Sequence, residues 1–272
     1  MLIDTHCHLD AAEFDADREA VWQATLQSGV RAVVIPGVTA ETFQPIMRWC
    51  AQHPQAGFAL GWHPLFVDQA PDDAIQQLAQ VIETVLQGPQ AHQLLAIGEI
   101  GLDFYITRDN EAHQIAMLEG QLQLARQFDL PVILHVRSAI DTVLKYLRKH
   151  EIHQGIAHAF NGSRQQADAM AAQGLKMGFG GAMTWPRALR IRKLAEELPL
   201  DQIVLETDSP DIQPVWIGHQ GRNSPDQLKK IAEEMASIRR IEISQLIEMT
   251  GKNSLQVLPK IAHLCTSLKV TL

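Results

Sequence analysis

The chain has 272 residues, and its 23 lysines and arginines against 31 acids give a formal net charge of −8 with histidine neutral. Overall charge therefore does not draw it to nucleic acid, and such a contact would need metal ions or a local basic patch. Apolar residues at 46% and charged residues at 20% exclude a disordered chain, and no segment approaches the roughly 20 apolar residues of a membrane span.

The N-terminus lacks the charged start and long apolar stretch of a secretion signal. Cys7, Cys50 and Cys265 are odd in number and far apart, with no CxxC pair, which fits a reducing cytoplasm. The expected setting is cytoplasmic, without membrane contact. No residue pattern sets an oligomeric state, and a monomer is compatible with the chain.

The first apolar run, LIDTH at 2 to 6, leads directly into His6-Cys7-His8. Residues i and i+2 of a strand point to the same side, so both rings can face one metal ion, although strand-end histidines also serve as ordinary hydrogen-bond partners. DADREAVWQATLQSG at 15 to 29 has helical spacing, and RAVVIPG at 31 to 37 and GFALGWH at 57 to 63 read as the next strands. LLAIGEIG at 94 to 101 is the fourth strand, followed by the helical NEAHQIAMLEGQLQLARQF at 110 to 128. PVILHV at 131 to 136, GIAHAF at 155 to 160, LKMGFGG at 175 to 181 and QIVLETD at 202 to 208 complete eight.

These runs are mostly continuous rather than alternating, as in a parallel sheet buried on both faces. A (β/α)8 TIM barrel spanning 1–272 as a single domain is the expected α/β fold. The competing solution is an open doubly wound sheet, which would scatter the polar strand ends. The tail from Lys252 to Leu272 reads as a closing helix plus an extension.

In such barrels chemistry sits at the carboxyl ends of strands. Here those ends carry His6, His8, His63, Glu99, His135, His158 and Asp208. Singly, His135 or His158 suits a satisfied core position, Asp208 a cap, and Glu99 an ion pair with Arg137. Together they predict a site for divalent ions, because burying so many ionisable groups without a partner would cost several kcal/mol. Imidazole with carboxylate suits zinc, manganese, iron or nickel, and the carboxylates admit magnesium. Five or six ligands exceed the three that usually hold one catalytic zinc, so two ions sharing Glu99 are expected.

With these residues assembled, the sequence resembles the TatD family of metal-dependent hydrolases within the amidohydrolase-like barrels. The resemblance rests on IDTHCHLD at 3 to 10, GWHP at 61 to 64, AIGEIGLDF at 96 to 104, PVILHVR at 131 to 137, HAFNGS at 158 to 163 and LETDSP at 205 to 210, which span almost the whole chain in order. It implies two divalent ions, magnesium, manganese or zinc, and in several members phosphodiester hydrolysis of DNA. Carried over by motif, His6, His8 and Asp208 would hold one ion and His135 and His158 the other, with Glu99 shared. His63 would sit over the substrate phosphate or support the leaving group.

The chain departs from the family after TDSP. An aromatic and a KRNEP-like stretch are usual there, whereas this sequence reads TDSPDIQPVWIGHQGRNSP, with Asp211, Gly221 and Ser224 at the changed positions. Arg222 and Asn223 are retained and are expected to contact substrate in the loop that shapes the cleft.

The expected reaction is two-metal hydrolysis, the ions lowering the pKa of a bound water to about 7. Asp208 would accept the proton, and Arg137 would steady a phosphate by bidentate contact. WPRALRIRK at 185 to 193 could track a nucleic-acid backbone or form a solvated helix face, and Trp185 could stack a base or simply pack. The expected partner is thus DNA or another phosphodiester. The closest alternative is an ester or amide hydrolase on the same metal barrel, such as a lactonase or a D-aminoacyl-tRNA deacylase. In amidohydrolase-like relatives a carboxylated lysine often bridges the metals, and Glu99 in its place favours the phosphodiesterase branch. A catalytically idle metal-binding module is the third reading.

Overall fold

Strand and helix alternate from the first residues of the computed structural model, which describes residues 1–266. In chain order the elements are β1 (Leu2–Asp4), α1 (Arg18–Gln27), β2 (Val30–Pro36), α2 (Ala40–Gln52), β3 (Ala56–Leu60), α3 (Ala74–Gln87), β4 (Leu94–Asp103) and α4 (Glu111–Gln127). There follow β5 (Val132–Arg137), α5 (Ile140–Lys149), β6 (Gly155–Ala157), α6 (Arg164–Ala172), β7 (Leu175–Phe179), α7 (Leu189–Glu197), β8 (Ile203–Leu205), α8 (Leu228–Arg239), α9 (Ile243–Val257) and α10 (Ile261–Thr266).

Each strand pairs in parallel with the next, β1 through β8. The ring closes where the Thr5 backbone N–H donates to the Leu205 carbonyl at 3.1 Å, with Asp208 N–H to His6 O at 2.8 Å and His8 N–H to Ser209 O at 2.8 Å above it. This is the expected (β/α)8 barrel.

The alternation of side chains along the strands sorts the core into two parts. Val33 and Ile35 of β2 pack outward with the helices, in a layer that includes Trp22, Phe43 and Leu78. Ile3, Ala32, Val34, Ile133, Ile156 and Val204 form a separate cluster with Val257, Leu258, Ile261 and Leu264. The end of α9 and α10 therefore stop the amino-terminal end of the barrel, leaving the carboxyl end open for a site. The closing helix expected in the tail is present; the extension beyond Thr266 lies outside the described residues.

Several strands end earlier than the apolar runs in the sequence. His6, His63, His158 and Asp208 lie past the last residue of their strands, where pairing with the neighbour stops and the chain turns over the barrel mouth. Ala159 at φ 45° and Asp208 at φ 55° are single left-handed residues at two of these turns. Among the described residues no helix is long and apolar enough to cross a membrane.

Candidate metal centre

Glu99 stands at the middle of the barrel mouth with only 2% of its surface exposed, and five imidazoles face it. Its Oε2 lies 3.2 Å from His6 Nε2 and 3.4 Å from His8 Nε2. Its Oε1 lies 2.8 Å from His158 Nε2, 3.1 Å from His135 Nδ1 and 3.4 Å from His63 Nε2. Asp208 Oδ1 completes the ring at 3.5 Å from His6 and 3.6 Å from His8. Six strands thus contribute to one centre, and every residue expected as a metal ligand is brought there.

The backbone at this point leaves little room. A Cβ on Gly101, which has φ 151°, would lie 1.8 Å from the His135 carbonyl oxygen, so the glycine of the GEIGLD stretch lets β4 run hard against β5. That close approach puts Glu99 and His135 within bonding distance.

The donor set fits divalent ions. Three groups have donor atoms within 4.8 Å of one another: His6, His8 and Asp208; His6, Glu99 and His158; and His63, Glu99 and His135. His6 Nε2 and His8 Nε2 are 3.2 Å apart. Two nitrogens each about 2.1 Å from one tetrahedral ion lie about 3.4 Å apart, so the pair already has the spacing of shared coordination. The first group is the set expected to hold one ion. In the third, His63 stands among the possible ligands beside His135.

The electrostatics describe a cluster short of positive charge. Burial would raise Glu99, but the charges of His158, His63 and His6 hold its carboxyl well below the usual range. Burial would lower His8 and His158, yet the hydrogen bond and charge of Glu99 hold His8 up at about 9, and the charge of Glu99 holds His158 up at about 10. His6 is driven well below its ordinary value by burial and by His158. Protons on some rings compensate the carboxylates, and divalent ions can replace those protons.

Around the candidate ligands lies a further layer that sequence reasoning missed. Asp103 Oδ2 is 3.0 Å from His135 Nε2, on the side of the ring away from Glu99. Glu206, 1% exposed, accepts from the Ala159 N–H at 2.5 Å and lies 4.0 Å from His158 Nδ1; burial pushes its carboxyl up to about 8. Asp4 accepts from both the backbone and the hydroxyl of Thr207 and ties β1 to the segment carrying Asp208. Asp103 follows Glu99 by four residues, an even spacing along a strand, and was legible as a second inward carboxylate.

A cavity of about 770 Å³ opens over the centre, lined by His8, His63, Glu99, His135, His158 and Asp208 together with Asp10, Glu13, Arg137, Asn161 and Asp211. Arg137 reaches it and is not paired with Glu99; its guanidinium lies over the Tyr105 ring. The structure does not bring Arg222 or Asn223 into this cavity. Arg222 bonds both carboxylate oxygens of Asp17 at 2.8 and 2.7 Å and the Glu13 carbonyl. The buried Asn223 amide donates to the Thr207 and Asp211 carbonyls at 2.8 and 2.9 Å. Both hold the loop after β8 in place, a task for which hydrogen-bonding side chains are equally suited.

The basic stretch at 185 to 193 is similarly divided. Arg192 bonds Glu234 and the Met183 carbonyl, while Arg187 and Arg190 are exposed. The Trp185 face is covered by His219 at 3.8 Å and its N–H donates to Gln213 O, which is packing.

Comparison with known proteins identifies the family and agrees with the fold. The TatD related DNase family model matches residues 3–259. The uncharacterized metal-dependent hydrolase YjjV of Escherichia coli is 35% identical over 93% of this chain and 95% of its own length. Human deoxyribonuclease TATDN3 is 33% identical over 97% of this chain and 96% of its own. The crystal structure of YjjV superposes with a TM-score of 0.88 at 34% identity, covering 95% of this chain and 98% of that one.

Proposed function

The chain belongs to the TatD related DNase family of metal-dependent hydrolases, and on that premise we propose that it is a phosphodiesterase, foremost an exonuclease-like deoxyribonuclease, working with two divalent ions. The observation that carries the reading is Glu99, a buried carboxylate whose two oxygens face different sets of imidazoles.

His6, His8 and Asp208 would hold one ion and His135 with His158 or His63 the other, Glu99 joining them; magnesium, manganese and zinc all suit these donors. When bound, the ions would polarise a phosphoryl oxygen and make water acidic enough to attack near neutral pH. Asp208, at the open edge of the cluster, accepts the proton of the attacking water. Arg137 turns its N–H edge to a non-bridging phosphate oxygen, and where His158 completes the second set, His63 stands beside the leaving group. A cytoplasmic setting goes with this reading, since Cys7, Cys50 and Cys265 are all free.

A second reading, cleavage of a carboxylic ester or lactone, including a D-aminoacyl-tRNA ester, is favoured by Asp10, Glu13 and Asp211 around the cavity. These acids oppose a polyanion and suit a substrate bearing an ammonium group. The test is hydrolysis of bis-p-nitrophenyl phosphate and labelled single-stranded DNA by metal-stripped protein reconstituted with magnesium, manganese or zinc. Metal-dependent cleavage of both supports the phosphodiesterase. Cleavage of aminoacyl esters alone replaces it with the second reading.

A further inference from the structure

We propose that Tyr105 is a positioning residue which, by stacking on Arg137, sets the preference of this cavity for a phosphate-bearing substrate. The inference rests on the phosphodiesterase reading and adds a residue that no motif singled out.

Arg137 is the one lysine or arginine among the cavity's lining residues. Its Cζ lies 3.7 Å from the centroid of the Tyr105 ring. Among the described residues no carboxylate is within ion-pair distance of it. The nearest acid in register, Asp103, has both oxygens engaged, Oδ1 by the Tyr105 N–H at 2.9 Å and Oδ2 by His135. A guanidinium held by its face keeps its N–H edge free, the edge that binds a phosphate bidentately.

The backbone places the ring. The Phe104 N–H donates to the Arg137 carbonyl at 2.9 Å, so the chain leaving β4 is tied to the end of β5 where Arg137 sits. Tyr105 remains 63% exposed and the adjacent Ile106 73%. An aromatic ring so exposed adds little to the core; its defined contact is the guanidinium. Asp103 therefore links the metal-facing His135 to the residue that orients the phosphate contact.

The test is a double-mutant cycle of Tyr105→Ala and Arg137→Ala in the metal-loaded protein, with thymidine 5′-monophosphate as the probe and its Kd measured by calorimetry. Tyr105→Ala should weaken binding about fivefold, the factor of one lost surface cation–π contact. It should raise KM for bis-p-nitrophenyl phosphate while kcat stays within about twofold, as expected when binding is lost equally from ground and transition states. Tyr105→Phe, which keeps the ring, should restore binding. In the Arg137→Ala background, Tyr105→Ala should have no further effect on Kd. Equal effects of Tyr105→Ala in both backgrounds, failure of Tyr105→Phe to restore binding, or no nucleotide binding by the unaltered protein would overturn the proposal. Coupled nucleotide binding without diester hydrolysis would leave it standing and remove only the phosphodiesterase reading.

Discussion

Asp103 Oδ2 lies 3.0 Å from His135 Nε2, while the opposite nitrogen of the same ring, Nδ1, faces Glu99 at 3.1 Å. The carboxylate fixes which nitrogen is free to meet a metal and how the ring is turned. Asp103→Asn should leave the barrel folded and weaken metal affinity about 10- to 100-fold, the usual effect of removing an outer partner from a ligating histidine. Chelator competition measures it, and an unchanged affinity would reduce the contact to packing.

Glu99→Ala removes the group on which every imidazole of the site converges. Metal content by mass spectrometry should fall from two ions per chain to one or none, and hydrolysis should fall by at least about 10³-fold, as when a metal-held nucleophile is lost. Full metal loading in this variant would mean that Glu99 is not the shared ligand.

Asp208→Asn keeps the side chain's size and its place in the turn after β8 but withdraws the proton acceptor. The rate should drop by about 10²- to 10⁴-fold, the range for a lost general base. Thermal unfolding serves as the control, and a variant with normal rates would take Asp208 out of the chemistry.

The pH dependence of metal binding follows from His8 at about 9 and His158 at about 10 in the metal-free cluster. Both are raised above the unfolded value of about 6.5, so their contribution to stability is complete below that value and is lost as pH climbs through about 9 to 10. Ligation needs the same nitrogens without protons, so apparent affinity should rise across this window. Calorimetry of zinc binding in buffers of different ionisation heat should detect proton release near pH 7. Affinity that stays flat from about pH 6.5 to 9 would contradict the assignment of both rings as ligands.

Asn223→Ala tests the loop after β8 as a support rather than a contact. The variant strands the Thr207 and Asp211 carbonyls, and should cost about 2 kcal/mol of stability. KM should then change only through displacement of Asp211 and Ile212, which line the cavity. A large KM effect with no loss of stability would restore Asn223 to the substrate.

The barrel and the histidines and acids at its mouth are legible because both are written in short range. Eight continuous apolar runs announce buried parallel strands, and a histidine or acid at the end of a run is carried to the mouth by the fold itself. Arg222 and Asn223 lie in a loop that bounds the cleft, but only the structure shows that they bond Asp17 and the Thr207 carbonyl. Asp103 is marked only by its even spacing from Glu99, while Glu206 and Tyr105 carry no such signal because each acts through a neighbour on another strand or turn. The meeting of Tyr105 with Arg137 depends on how β4 and β5 end side by side, a pairing that neither segment encodes alone.

The most direct test of a two-ion hydrolase is titration of metal-stripped protein with manganese, recording bound ions and bis-p-nitrophenyl phosphate hydrolysis together. Two ions per chain are expected at saturation, with hydrolysis rising as the second enters. Saturation at a single ion with full activity, or hydrolysis indifferent to metal, would contradict the two-ion reading.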